Sequence, residues 1–112
     1  MRQYFIYILE CVNGGYYTGY TTDLARRYQE HQLGSIKCKY TRAFPPIQLC
    51  AGWVFSCALS DILRVEHLIK RLTKQNKQAL IARPTELRFI LEKAGLDALN
   101  YAVVYAEASD VY

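Results

Sequence analysis

The sequence predicts an α/β (α+β) fold: a small three-stranded, mostly antiparallel sheet flanked by helices. Three observations predict it. Two runs rich in Tyr, Ile and Thr lie on either side of Asn13-Gly14-Gly15, residue types that tolerate the positive φ of a hairpin turn. Ile47, Leu49, Ala51, Trp53 and Phe55 alternate with other residues, the period of a strand. Ile62, Val65, Ile69 and Leu72 recur at helical spacing and make one apolar stripe.

Residues 3–12 form the first strand. Both of its parities are apolar, with Phe5, Tyr7 and Leu9 on one and Tyr4, Ile6 and Ile8 on the other. Such a strand is covered on both faces. Tyr16 to Thr21 returns as the second strand of a hairpin. Thr22 is expected to cap a helix whose first turn contains Asp23. That helix runs to about His31 or Leu33, and Gly34 ends it. Residues 34–46 are expected to form a basic loop carrying Lys37, Lys39 and Arg42, closed by Pro45-Pro46. The third strand follows, and then a helix capped by Ser60 or Asp61. A short amphipathic helix from about Lys74 to Ala82 comes next. Pro84 breaks the chain, residues 85–99 form one more helix, and the tail beyond has no periodic pattern. Residues 1–82 thus form the main domain, and residues 83–112 a C-terminal helical extension or tail.

A chain of 112 residues fits one domain. Its hydrophobic fraction of 52% supports a core and excludes wholesale disorder. No apolar run approaches the roughly 20 residues that span a bilayer. The apolar N-terminal stretch is interrupted by Glu10 and lacks a small-residue cleavage site, so a cytoplasmic protein is expected. Cys11, Cys38, Cys50 and Cys57 contain no C-x-x-C pair, and reduced thiols are expected rather than a zinc site. Residues 1–82 hold 11 Lys and Arg against 5 Asp and Glu, whereas residues 83–112 hold 3 against 5. The basic main body suits a polyanionic partner such as DNA or RNA.

Several residues mean little singly and more together. Tyr7 shares a strand face with Phe5 and Leu9. Tyr17 stands two residues before Gly19 on the partner strand, so the hairpin can bring the two phenols together. Gly19 has no side chain, so a phosphate backbone could approach there. Arg27 and His31 are four apart on one side of a helix, with Leu24 on the same side, so that face meets the sheet. Glu66 is four after Ile62 and three before Ile69, at the margin of a buried stripe, where a carboxylate can reach into a cleft.

Phe5-Ile6-Tyr7, nine residues, and Tyr17-Thr18-Gly19 resemble the paired signature of the GIY-YIG nucleases. Asp23-Leu24-x-x-Arg27-x-x-x-His31 is similar to that family's first helix. Lys39-Tyr40-Thr41-Arg42, a proline pair and a strand resemble the middle of its small stand-alone bacterial members, which are related to the catalytic domain in the nuclease component of the ABC excinuclease. Glu66-x-x-Ile69-Lys70-Arg71-Leu72 and Lys77 resemble its acidic second helix. The match covers about residues 3–82. Phe5 replaces a glycine of the first signature, Thr18 an isoleucine of the second, and Tyr20 a lysine carried by some relatives.

The resemblance implies a metal-dependent endonuclease acting on nucleic acid, DNA rather than RNA, in repair or recombination. It implies Glu66 as the protein ligand of Mg²⁺ or Mn²⁺, Arg27 as the phosphate clamp, Tyr7 or His31 as general base, and Tyr17 as an orienting group. Lys37, Lys39, Arg42, Lys70 and Lys74 are candidate contacts to the nucleic-acid backbone. Two other readings stand beside it. One is a binding module that keeps the fold without the chemistry. The other is a protein-interaction or homodimer module docking through Tyr101, Val103, Val104, Tyr105, Val111 and Tyr112.

Overall fold

A computed structural model describes residues 2–34 and 38–104. Its elements are β1 (Gln3–Cys11), β2 (Tyr16–Thr21), α1 (Leu24–Leu33), α2 (Lys39–Ala43), β3 (Pro46–Ser56), α3 (Leu59–Lys70), α4 (Lys74–Ala82), a 3₁₀ turn (Pro84–Glu86), α5 (Leu87–Lys93) and β4 (Tyr101–Val104). The strands form one sheet in the order β2-β1-β3-β4, with all neighbours antiparallel.

The hairpin forms where expected. Gly14 takes φ 79°, and the Gly15 amide donates to Asn13 Oδ1 at 3.0 Å. Both faces of β1 are buried, as its two apolar parities require. Ile6 and Ile8 pack with Trp53, Phe55 and the α3 stripe of Ile62, Val65 and Ile69. Tyr7, Leu9 and Cys11 pack on the opposite face with Leu24 and Tyr28 of α1.

Several expectations change. The sheet has four strands, not three, because Tyr101–Val104 pairs with the outer edge of β3. Four residues are too few to show a period, and the free edge of β3 is what recruits them. Residues 85–99 are not one helix: a 3₁₀ turn opens the segment, α5 is short, and Gly95 at φ 74° follows its end. Tyr101, on the new strand, caps α5 by accepting from the Arg88 amide at 2.9 Å. Its hydroxyl donates to the Thr85 carbonyl at 2.6 Å. Tyr101 and Val103 thereby pack against the core, while Tyr105, Val111 and Tyr112 lie outside the described residues.

The helix starts also move. Asp23, not Thr22, caps α1: its Oδ1 accepts from the Arg26 amide at 3.1 Å, and its own amide donates to Thr21 Oγ1 at 3.1 Å. α3 begins at Leu59 with no side-chain cap, which places Ser60 and Asp61 inside its first turn. There the Asp61 charge meets the positive end of the helix dipole. The basic loop contains a short helix, α2, that carries Lys39 and Arg42.

β3 does not keep one parity. Its register with β1 slips between Ile8↔Ala51 and Leu9↔Leu49, which leaves Cys50 as an extra residue. Such a bulge reverses the facing of everything beyond it. Leu49 therefore packs with Tyr7 and Leu9, while Ala51, Trp53 and Phe55 pack with α3.

Thr18, opposite Ile8 in β2, is 2% exposed, and its hydroxyl has no hydrogen-bond partner among the described residues. An unsatisfied buried hydroxyl costs about 1–3 kcal/mol. Thr18→Val, which keeps the shape and removes that group, is expected to stabilise the protein by about 1 kcal/mol. A thermal melt should show this as a rise of about 4 °C.

Candidate active site

Tyr7 stands opposite Gly19 in the β1–β2 register. A Cβ at residue 19 would lie 2.5 Å from Tyr7 Oη and 2.7 Å from its Cζ. The missing side chain is therefore the space the Tyr7 ring occupies. Tyr17, one pleat along β2, brings its ring centroid to 6.3 Å from that of Tyr7 and 5.0 Å from that of His31.

His31 is fully buried, with Nε2 at 2.8 Å from Tyr7 Oη and Nδ1 at 2.9 Å from Thr41 Oγ1. It is placed there because α1 lays Leu24, Tyr28 and His31 on its buried side. Burial, with the nearby Arg27 charge, pulls the His31 pKa from 6.5 to about 4, so the ring is neutral at pH 7. Burial pushes the Tyr7 phenol well above its ordinary range; Tyr17 adds to this, and the Arg27 charge offsets part of it. The Tyr17 phenol is raised too, first by burial and then by Cys38 beside it.

A polar cleft of about 450 Å³ opens at the β2 edge of the sheet, where α1 and α3 meet it from opposite faces. Tyr7, Tyr17, Gly19, Arg27 and Glu66 line it. The Asp23 cap orients the first turn of α1, from which the arginines project. Arg27 Nε lies 3.6 Å from Glu30 Oε1. Glu66 is 15% exposed, and its Oε2 lies 3.6 Å from Lys70 Nζ. Among the described residues it is the one carboxylate lining the cleft, and no group of three or more His, Cys, Asp and Glu gathers. A larger apolar cleft of about 530 Å³, bordered by Leu68, Leu72, Leu80 and Phe89, holds none of the candidate residues.

Four of the five candidate catalytic residues therefore share one cleft, and the fifth, His31, sits behind Tyr7 rather than on the cleft wall. Lys70 touches Glu66, and Lys74 borders the hairpin turn, its Nζ 3.8 Å from where a Cβ on Gly14 would stand. Lys39 and Arg42 are exposed on α2, and Lys37 lies outside the described residues. Sequence reasoning missed Arg2 and Arg26, which also line the cleft, and Thr41, the partner of His31. The position of Arg26 just after the Asp23 cap was a usable signal. Thr41 gave none beyond its place in the Lys39–Arg42 stretch.

Residues 3–79 match a family model described as the GIY-YIG catalytic domain. A UPF0213 protein of Halalkalibacterium halodurans is 40% identical over 79 residues, spanning 70% of this chain and 82% of that one. One from Cupriavidus pinatubonensis is 42% identical over 82 residues, spanning 73% and 89%. One from Halobacterium salinarum is 44% identical over 75 residues, spanning 67% and 95%. A solution NMR structure of a UPF0213 protein from Bacillus halodurans is similar at 40% identity, covering 71% of this chain and 83% of that chain, with a TM-score of 0.46.

Two outcomes are expected of this geometry. Gly19→Ala should displace the buried Tyr7 ring and destabilise the protein by about 1–3 kcal/mol, measured by urea unfolding. The second concerns acid. His31 titrates near 4 when folded against 6.5 when free, so between those values the unfolded chain binds more protons. The His31 contribution is complete above pH 6.5 and is lost as the pH falls toward 4, at up to about 1.4 kcal/mol per pH unit. Urea midpoints at pH 7 and pH 4.5 should differ accordingly, with the His31 ring resonances not titrating above pH 5.5.

Proposed function

Because the chain belongs to the GIY-YIG catalytic domain family, a family of nucleases, we propose that it is an endonuclease hydrolysing nucleic-acid phosphodiester bonds with a divalent cation. DNA is the proposed substrate, and repair or recombination the proposed setting. The observation that supports this best is the convergence of Tyr7, Tyr17, Arg27 and Glu66 on one polar cleft, with His31 bonded behind Tyr7. Residues 1–82 are the proposed catalytic unit.

Glu66 would hold Mg²⁺ or Mn²⁺. A single carboxylate in a polar cleft suits a hard cation that keeps several of its waters. When bound, such a cation stabilises charge on the phosphate and the leaving oxygen. Arg27 clamps the scissile phosphate; its guanidinium fork matches phosphate oxygens. Its Nε lies 3.6 Å from Glu30 Oε1, and the terminal nitrogens are proposed to face the phosphate.

Tyr7 and His31 act as one base. A raised phenol pKa disfavours a free tyrosinate, so the two proton movements are coupled. The attacking water gives its proton to the Tyr7 oxygen as the Tyr7 proton passes to His31 Nε2, 2.8 Å away. Tyr17 orients water and phosphate. Arg2 and Arg26 extend the positive lining of the cleft. Lys37, Lys39, Arg42, Lys70 and Lys74 bind the backbone without reading sequence.

The test is cleavage of labelled supercoiled, linear, single-stranded and branched DNA, and of RNA, with Mg²⁺, Mn²⁺ or EDTA. Glu66→Gln, purified identically, runs beside the wild type. Metal-dependent cutting that falls by about 100-fold or more in the variant is the expected result. Equal activity in both proteins would remove Glu66 from the site. Binding without cutting by the wild type would replace the nuclease with a nucleic-acid-binding module.

A further inference from the structure

We propose that Thr41 is a positioning residue of this site, its hydroxyl holding His31 in the one tautomer whose Nε2 can take the Tyr7 proton. The assignment rests on the nuclease reading above, because it gives that reading's proton relay a direction.

A neutral imidazole has one N–H donor and one acceptor nitrogen. Both His31 nitrogens are engaged, Nε2 with Tyr7 Oη at 2.8 Å and Nδ1 with Thr41 Oγ1 at 2.9 Å. Two arrangements satisfy this geometry. In one, Nδ1–H donates to Thr41 and the Nε2 lone pair accepts from the Tyr7 hydroxyl. In the other, Thr41 donates to Nδ1 and Nε2–H donates to the Tyr7 oxygen. The second leaves His31 with no site for the Tyr7 proton and turns that proton toward the cleft. The relay works in the first arrangement and fails in the second.

What lies beyond Thr41 selects between them. Thr41 is 1% exposed, so no solvent water competes for its hydroxyl. Cys38, at the N-cap position of α2, sits against it and against the Tyr17 hydroxyl. The sulfur makes no capping bond of standard length. Burial acts to raise its thiol pKa, but the Thr41 amide and the Tyr17 and Thr41 hydroxyls outweigh that and bring it below the ordinary value. The Cys38 sulfur thus offers the Thr41 hydroxyl proton an acceptor, an arrangement that leaves the Thr41 oxygen lone pairs to accept from Nδ1–H. The Arg27 charge near the ring further disfavours a second proton in the resting state. The chain of donors runs from Tyr7 to His31 Nε2, and from His31 Nδ1 to Thr41 and on to Cys38.

The experiment uses the full chain, ¹⁵N-labelled and metal-free, with the His31 ring nitrogens read by long-range ¹H–¹⁵N correlation at pH 7. His67→Gln assigns the other ring. Thr41→Val, nearly isosteric, and Thr41→Ser, which keeps the hydroxyl, are compared with the wild type in the same spectra and in Mg²⁺-dependent cleavage. A wild type and a Thr41→Ser held as the Nδ1–H tautomer, with Thr41→Val mixed or reversed, is the expected pattern. In cleavage, kcat should fall about 10- to 100-fold in Thr41→Val, the scale for losing a partner that orients a functional histidine. KM should stay unchanged, and Thr41→Ser should recover the rate. A wild-type ring in the Nε2–H form overturns the proposal. So does a Thr41→Val chain that keeps the Nδ1–H form, or one that loses it at full kcat. The wild-type spectrum needs no variant, so it decides even where Thr41→Val does not fold. Absence of cutting by the wild type sinks the nuclease reading instead, and the spectra still decide what Thr41 does to His31.

Discussion

The buried hydrogen bond between Tyr7 and His31 is the constraint around which the rest of this domain is arranged. A phenol and an imidazole removed from water are costly unless each finds a partner. Tyr7 finds His31, and His31 finds Thr41. For that to happen three chain segments must be fixed together. Gly19 must leave room beside the Tyr7 ring, α1 must turn His31 inward with Leu24 and Tyr28, and α2 must present Thr41. The apolar packing around Leu9, Cys11 and Leu49 then keeps this face dry. The same dryness raises the Tyr7 phenol and lowers His31, so both groups are neutral at pH 7.

Sequence reasoning saw much of this, because the signals were local. Asn13-Gly14-Gly15 announced the hairpin, both parities of residues 3–12 announced a strand buried on two faces, and the stripe from Ile62 to Ile69 announced α3. The grouping of Tyr7 with Tyr17, and of Arg27 with His31, followed from periods of two and four. What was not legible depended on partners distant in sequence. β4 exists because β3 had an open edge, and its four residues carry no period. The Cys50 bulge leaves no mark in an apolar alternation that continues evenly across it. Whether a histidine on the inner side of a helix reaches a cleft or stops behind a tyrosine depends on depth, which spacing does not report. Thr41 is invisible for the same reason: its importance lies in the single atom it touches.

The cleft depends on an asymmetry between the two edges of the sheet. β4 covers one edge. At the other, β2 is short, and α1 and α3 reach it from opposite faces. Glu66 and Tyr7 arise on different faces of the sheet, yet they meet at that edge. Cationic residues follow the same border, from Arg2, Arg26 and Arg27 to Lys70 and Lys74.

Beneath the other edge, Trp53 is fully buried and donates its indole N–H to the carbonyl of Pro84 at 2.9 Å. Leu87 and Leu91 of α5 close over the same cluster, and β4 pairs with β3. The family match ends at residue 79, before any of these contacts. The stretch that matches the family is thus shorter than the stretch that folds. A fragment trimmed to the matched boundary would keep every candidate catalytic side chain. It would also strand the Trp53 indole and bare a sheet edge along which two fragments could zip together. Anyone transplanting this domain into a fusion protein should carry the chain through Val104, since what looks like an appendage is the lid on the core.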